Sequence, residues 1–208
     1  AAEDLLATGA KKSAPLVVYW VLVVTRGVNI GVRHLLPVYP LTYAVIGAMV
    51  GVHGRALYGK ALPVLLVLGC GLLATESARI APDDLAFFNL AAGGPANGPN
   101  LLVDSNLDWG PCLGKIRRWF DARGERSVCL AYFGSADQRY YGFPEWAVLT
   151  TEMVRMGERM PCRYVAISAT FLMGVYHERA WYEWLRAREP VARVGWSVYV
   201  YDTRDVGE

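Results

Sequence analysis

Apolar and polar positions divide this chain unevenly. Three apolar runs come first, at residues 14–25, 35–52 and 61–75; the third reads ALPVLLVLGCGLLAT, and the second contains no Asp, Glu, Lys or Arg. A helix that crosses a bilayer needs roughly 20 apolar residues. The second run is long enough alone. The first and third reach that length if flanks carrying Trp20, Arg26 and Arg79 extend to the headgroup layer. About three transmembrane helices are therefore expected over 1–75, as a fragment of a larger helical bundle.

Beyond Glu76 the runs shorten and alternate. A helix is expected to start within 82–90, with Asp83 and Asp84 at its positive end, and residues 91–99, AAGGPANGP, read as a flexible connection. Residues 101–104 suggest a short buried strand. Asp108 is placed to cap a helix running from 109 to about 123, with Leu113, Ile116, Trp119 and Phe120 on one face. Strands are expected at 127–133 and 164–168, and a helix over 176–188 with Trp181, Trp184 and Leu185 inward. Residues 193–201 alternate Val194, Trp196, Val198 and Val200, the period of a strand. This order predicts that 76–208 is a soluble α/β domain with a mostly parallel sheet.

Charge sharpens the division. All but two of the 19 acidic residues lie at or beyond Glu76, whereas Lys11, Lys12, Arg26, Arg33, Arg55 and Lys60 are the only charges between Leu5 and Thr75. The formal net charge of +2 thus combines a cationic apolar part with a mixed soluble one, and no basic face suits nucleic acid. Cationic loops stay cytoplasmic. Lys11 and Lys12, and then His53, Arg55 and Lys60, would lie inside, which places the loop 26–34 and everything after Thr75 outside. Arg26 and Arg33 break that rule locally, and a cation so placed often has an anionic partner. The chain opens on Ala with no leader-like pattern, so it reads as part of something longer. Of the four cysteines, Cys70 lies in an apolar run; Cys112, Cys129 and Cys162 allow one disulfide, whose pairing the spacing does not choose, and no CxxC or His-rich spacing suggests zinc.

Ligands of α/β sheets bind at the carboxyl ends of strands, and three polar clusters fall there: 104–108, 134–138 and 168–170. Asp104 and Asp108, four residues apart with Asn106 between them, suit a metal, a sugar hydroxyl or a proton-transfer pair; equally, Asp108 is a helix cap and Asp104 ties down a turn. Asp137, Gln138 and Tyr141 lie in a second cluster, where Tyr140, Tyr141, Phe143 and Trp146 suit a sugar face, a membrane-interface belt or a loop packed on the sheet. In the apolar part, Arg33 and His34 stand at an outer helix mouth: a guanidinium grips a phosphate through two hydrogen bonds, or snorkels to ordinary headgroups. His177 beside Glu178 lacks a third ligand and reads as surface helix.

Several of these stretches resemble one family. NIGVRHLLPVYP (29–40), Phe88-Asn89, Gly93-Gly94-Pro95, LVDSNLDWG (102–110), YFGS (132–135) and Tyr141-Gly142 are similar, in order and spacing, to the C-terminal part of bacterial integral-membrane glycosyltransferases of the protein O-mannosyltransferase and aminoarabinose transferase group. The resemblance implies a polyprenyl-phosphate-linked sugar donor, transfer on the outer face of the bacterial inner membrane to a glycan or protein acceptor, and an extracytoplasmic C-terminal domain. On that basis Asn29, Arg33 and His34 would hold the lipid phosphate, and Asp104, Asn106, Asp108, Asp137, Gln138 and Tyr141 the sugar or acceptor. No cofactor is specified; a divalent metal belongs, if anywhere, to the complete protein. Pro111-Cys112 departs from the expected Gln and acidic residue. The family's catalytic carboxylate lies in a first outer loop that these residues do not include. The alternative is a membrane-anchored extracytoplasmic domain that binds a glycan or partner without catalysis.

Overall fold

The computed structural model describes residues 17–23, 25, 32–51, 59–144 and 162–204, with the backbone alone for 32–34 and 49. The chain divides into two compact units, Ala1–Ala74 and Thr75–Glu208.

In the first unit a 3-10 helix, Val32–Val38, leads into α1, Tyr39–Met49, and Thr42 Oγ1 donates to the Val38 carbonyl at 2.8 Å where they join. Helix α2, Ala61–Ile80, begins here, and its last turn belongs to the second unit. The expectation of about three spanning helices is corrected: among the described residues α2 alone is long and apolar enough to cross a membrane. The run at 35–52 falls short because Pro37 and Pro40 confine its start to a 3-10 turn and a helix N-terminus. The 11 residues of α1 rise only about 16 Å, half a hydrocarbon core. The run at 14–25 is helical at 17–23 and at 25, and its remaining residues lie outside the described ones.

The second unit is built on four strands, β1 (Val128–Ala131), β2 (Tyr164–Ser168), β3 (Ala192–Val194) and β4 (Val198–Asp202), in the order β1-β2-β4-β3. Only β1 and β2 are parallel; β4 runs antiparallel to both β2 and β3. The mostly parallel sheet expected from the sequence is therefore a mixed one. The cause lies in residues 193–201, which are a hairpin instead of one strand. Trp196 takes a left-handed φ of 63°, and the Arg193 side chain closes the turn by donating from Nε to the Trp196 carbonyl at 2.7 Å. Turning there brings β4 back between β3 and β2.

Both faces of the sheet are covered, so its strands are apolar on each side. Val128, Leu130, Ala166, Val198 and Val200 pack on one face with Leu113, Ile116 and Phe120 of the helix Leu113–Asp121. Cys129, Val165, Ile167 and Tyr201 pack on the other with Leu172, Tyr182 and Leu185. These last residues come from short helical turns, Ala169–Leu172, Arg179–Tyr182 and Glu183–Arg186, the last two standing where one regular helix over 176–188 was expected. Likewise 91–99 is not a flexible connection: Gly94–Leu101 is helical, with a proline in its first turn. No strand forms at 101–104.

Cys129 and Cys162 are joined across β1 and the start of β2, with Cα atoms 5.5 Å apart and a sequence separation of 33 residues. Closing a loop of that length restricts the unfolded chain by about 3–4 kcal/mol. Replacing both cysteines by alanine should lower the unfolding free energy by roughly that amount, read as an earlier urea midpoint in tryptophan fluorescence. An unchanged midpoint would show that the cross-link adds nothing.

Candidate functional site

Parallel pairing of β1 with β2 and antiparallel pairing of β2 with β4 set three chain ends at one sheet edge: residues 132–134, 168–170 and 195–197. Cross-links between them define the edge. The Phe133 N–H donates to Ser168 Oγ at 3.0 Å, and the Ala169 N–H donates to the Ser197 carbonyl at 2.7 Å. The loop 104–110 closes over this edge. Leu107, 1% exposed, plugs it from below beside Ile80, Ala86 and Ala169.

Asp104 begins that loop in a left-handed conformation, φ 62°, which a non-glycine residue adopts only where its surroundings hold it there. Here its N–H donates to Thr170 Oγ1 at 3.1 Å, and its carbonyl accepts from the N–H groups of Leu107 and Asp108 at 2.9 and 2.8 Å. Gly110 ends the loop at φ 82°. A Cβ there would lie 1.8 Å from the Tyr132 hydroxyl, which instead donates to the Gly110 carbonyl at 2.9 Å. Gly134 is equally tight, its would-be Cβ 3.0 Å from the Gly110 Cα, so the 104–110 and 132–134 loops meet with no room for a side chain.

The two carboxylates have different fates. Asp108 is fully buried, and Oδ1 accepts from the Gly110 N–H at 3.0 Å. Oδ2 has no donor in hydrogen-bonding geometry among the described residues, although the Ser168 and Ser197 hydroxyls are near enough to favour its charge. Burial dominates and pushes this carboxyl up to about 6, against the pull of Gly110 and the two serines. Asp104 sits at the rim, half-buried: Oδ2 accepts from the Tyr176 hydroxyl at 2.7 Å, while Oδ1 is buried without a donor among the described residues.

An aromatic shelf extends from Asp104 through Tyr176. Phe133 packs edge-on against Trp109 and Phe171 and stacks with Tyr176 at 5.5 Å. Phe171 stacks in turn on His177 at 5.6 Å. Trp109 and Tyr176 are 57% and 53% exposed, so two aromatic groups face solvent, one bonded to the Asp104 carboxylate and the other joined to it through Phe133.

The sequence-derived candidates distribute as follows. Asp104 and Asp108 lie at this edge with half-buried Asn106, whose Nδ2 donates to the Val103 carbonyl at 3.4 Å. Asp137 turns away to pair with Arg139 and cap its own turn, and the Gln138 carbonyl accepts from the Phe143 N–H. Tyr141 and Phe143 pack inward against the Leu113–Asp121 side of the sheet. Trp146 lies outside the described residues, as does Asn29; of Arg33 and His34 only the backbone, within the 3-10 turn, is described. Sequence reasoning missed Tyr176 as the partner of Asp104, and Phe171 as part of the aromatic shelf, and read His177 as surface helix. The available signal was Tyr176-His177 just beyond the β2 end that carries Thr170. Among the described residues no three His, Cys, Asp or Glu side chains gather to hold a metal ion. Cys112 is a buried thiol beside Ser197, pushed up by burial.

No protein-family model, no curated protein and no solved structure matches the chain.

The buried carboxyl sets a pH dependence. Because Asp108 is raised from 3.8 to about 6 by folding, the folded state holds its proton more tightly than the unfolded chain. This stability is complete below pH about 4 and lost as pH rises through about 6, on the order of 3 kcal/mol in all. Asp108→Asn keeps the shape and removes the titration. Urea unfolding at intervals from pH 4 to 7.5 should show a falling stability in the native protein and a flatter profile in the variant. Parallel profiles would mean that Asp108 does not titrate there.

Proposed function

We propose that the chain is the C-terminal part of an integral-membrane glycosyltransferase that draws on a lipid-phosphate-linked sugar at the outer face of the membrane. In this reading α2 crosses the bilayer, and the Thr75–Glu208 unit is extracytoplasmic and presents the aromatic shelf to the sugar of donor or acceptor. The observation that carries it is the exposed Tyr176 on the Asp104 carboxylate, continued through Phe133 to the exposed Trp109. Sugar rings offer apolar faces to aromatic rings and hydroxyls to carboxylates. Tyr176 holds the acceptor oxygen of Asp104 with a hydroxyl that a sugar hydroxyl can replace.

Three further points support the reading. The HLLPVYP and DSNLDWG stretches stand in the order and spacing of that enzyme group. The loop carrying DSNLDWG folds onto a strand edge, where α/β units bind ligands. The Cys129–Cys162 disulfide suits an oxidising compartment. Asn29, Arg33 and His34 are proposed to hold the donor phosphate, and Asp108 to shape the loop from beneath without touching the sugar.

Asp108, the carboxyl with a raised pKa at this edge, is sealed from solvent. That favours a second reading, a membrane-anchored domain that binds a glycan without reacting with it. One experiment separates the two. The full protein in lipid is given a polyprenyl-phosphate sugar, and binding and transfer are both measured. Trp109→Ala and Tyr176→Ala should each weaken sugar binding about tenfold, near 1.4 kcal/mol, with transfer falling in step. Binding without transfer would favour the second reading. Unaltered binding in both variants would remove the shelf from either.

A further inference from the structure

The second unit carries a cleft of about 240 Å³ away from the aromatic shelf. The last turn of α2 forms one wall with Arg79 and Ile80, and Phe87, Phe88, Leu90 and Trp196 are among the residues facing it. Its walls are mostly apolar. Leu90, on the lip, is 72% exposed, and Leu85 and Phe87 are exposed beside it. The one carboxylate in the cleft, Glu76, is committed to the fold: its Oε1 accepts the Leu90 N–H at 2.8 Å and fixes the lip. Arg79 is exposed and has no carboxylate partner among the described residues.

The position of this cleft follows from helix length. The 20 residues of α2 rise about 30 Å, the thickness of a hydrocarbon core. If residue 61 stands at one face of the bilayer, Arg79 and Ile80 stand at the headgroup boundary of the other, with Glu76 about one turn deeper. A guanidinium at that level matches a phosphate, and exposed leucine and phenylalanine side chains beside it match the first carbons of an acyl chain. We propose that the cleft and its Leu85–Leu90 lip are a docking surface for the bilayer itself. Leu90 and Phe87 enter the upper acyl region and Arg79 holds the phosphate of an anionic phospholipid. This rests on the reading of α2 as a spanning helix and is independent of whether the shelf binds sugar.

The test labels Leu90→Cys with an environment-sensitive NBD dye in a Cys70→Ala background, the full protein being reconstituted in phosphatidylcholine or phosphatidylglycerol vesicles. The expected result is blue-shifted emission quenched more by a nitroxide at acyl carbon 5 than by one at carbon 16. Quenching should be about twofold stronger in phosphatidylglycerol. Arg79→Gln should abolish that lipid preference and Arg79→Lys should retain it. The same label on Arg126→Cys, near the opposite sheet edge, gives the water reference. Leu90 emission equal to that reference, in protein that resists carbonate extraction, overturns the docking surface while α2 still spans. Quenching indifferent to lipid charge and to Arg79→Gln overturns the phosphate role. Release of the protein by carbonate overturns the spanning helix and this inference together.

Discussion

The candidate site depends on keeping one carboxylate out of water. Asp108 lies beneath the loop it belongs to, tied to the Gly110 N–H and flanked by hydroxyls from the end of β2 and the start of β4. Ionising it there is costly, and the surrounding donors offset that cost only in part, which leaves the carboxyl raised to about 6. The loop is shaped around it. Asp104 accepts a left-handed backbone, Leu107 seals the underside, and Gly110 passes so close to Tyr132 that only glycine fits. The exposed ring of Trp109 is a by-product of this closure, since it falls between a residue that must be inside and a glycine that must turn.

That arrangement explains what the sequence revealed and what it hid. Asp104 and Asp108 were legible because the acidic pair sits in a short Ser, Asn and Gly context between a buried segment and an amphipathic helix, and such contexts fold as loops at strand ends. Which oxygen would face solvent was not legible. A cap, a buried charge and a ligand-binding carboxylate share one spacing, and only the neighbours across the sheet, Ser168, Ser197 and Thr170, separate them. Tyr176 was hidden for the same reason: it lies 72 residues from Asp104 and meets it through the fold. The second polar cluster, Asp137 and Gln138, offered the same composition but had a local partner in Arg139, and a local partner wins when no long-range one is nearer.

The sheet shows a related limit. The apolar runs at 127–133 and 164–168 were read as strands and hold β1 and β2, and alternation at 193–201 marked the residues of β3 and β4, because strand-forming composition is a local property. Direction is not local. The residues at 193–201 keep their alternation through the hairpin, so the pattern alone reads as one strand, and the turn is betrayed only by Gly195 followed by a tryptophan in a conformation tryptophan seldom takes. In the apolar part, hydrophobicity was read correctly and helix geometry was not. Pro37 and Pro40 shorten the second run to less than a membrane's width, while the third extends past the first polar residues to Ile80.

The Cys129–Cys162 bond turns the stretch between β1 and β2 into a closed covalent ring. The two strands it joins are neighbours, so their pairing does not rely on the peptide chain that connects them. A protease that severed this ring outside the bond itself would leave one molecule with both strands still attached. The connection is thereby released from holding β1 and β2 together, while its first residues, Tyr132, Phe133 and Gly134, still shape the edge where Asp104 and Trp109 lie.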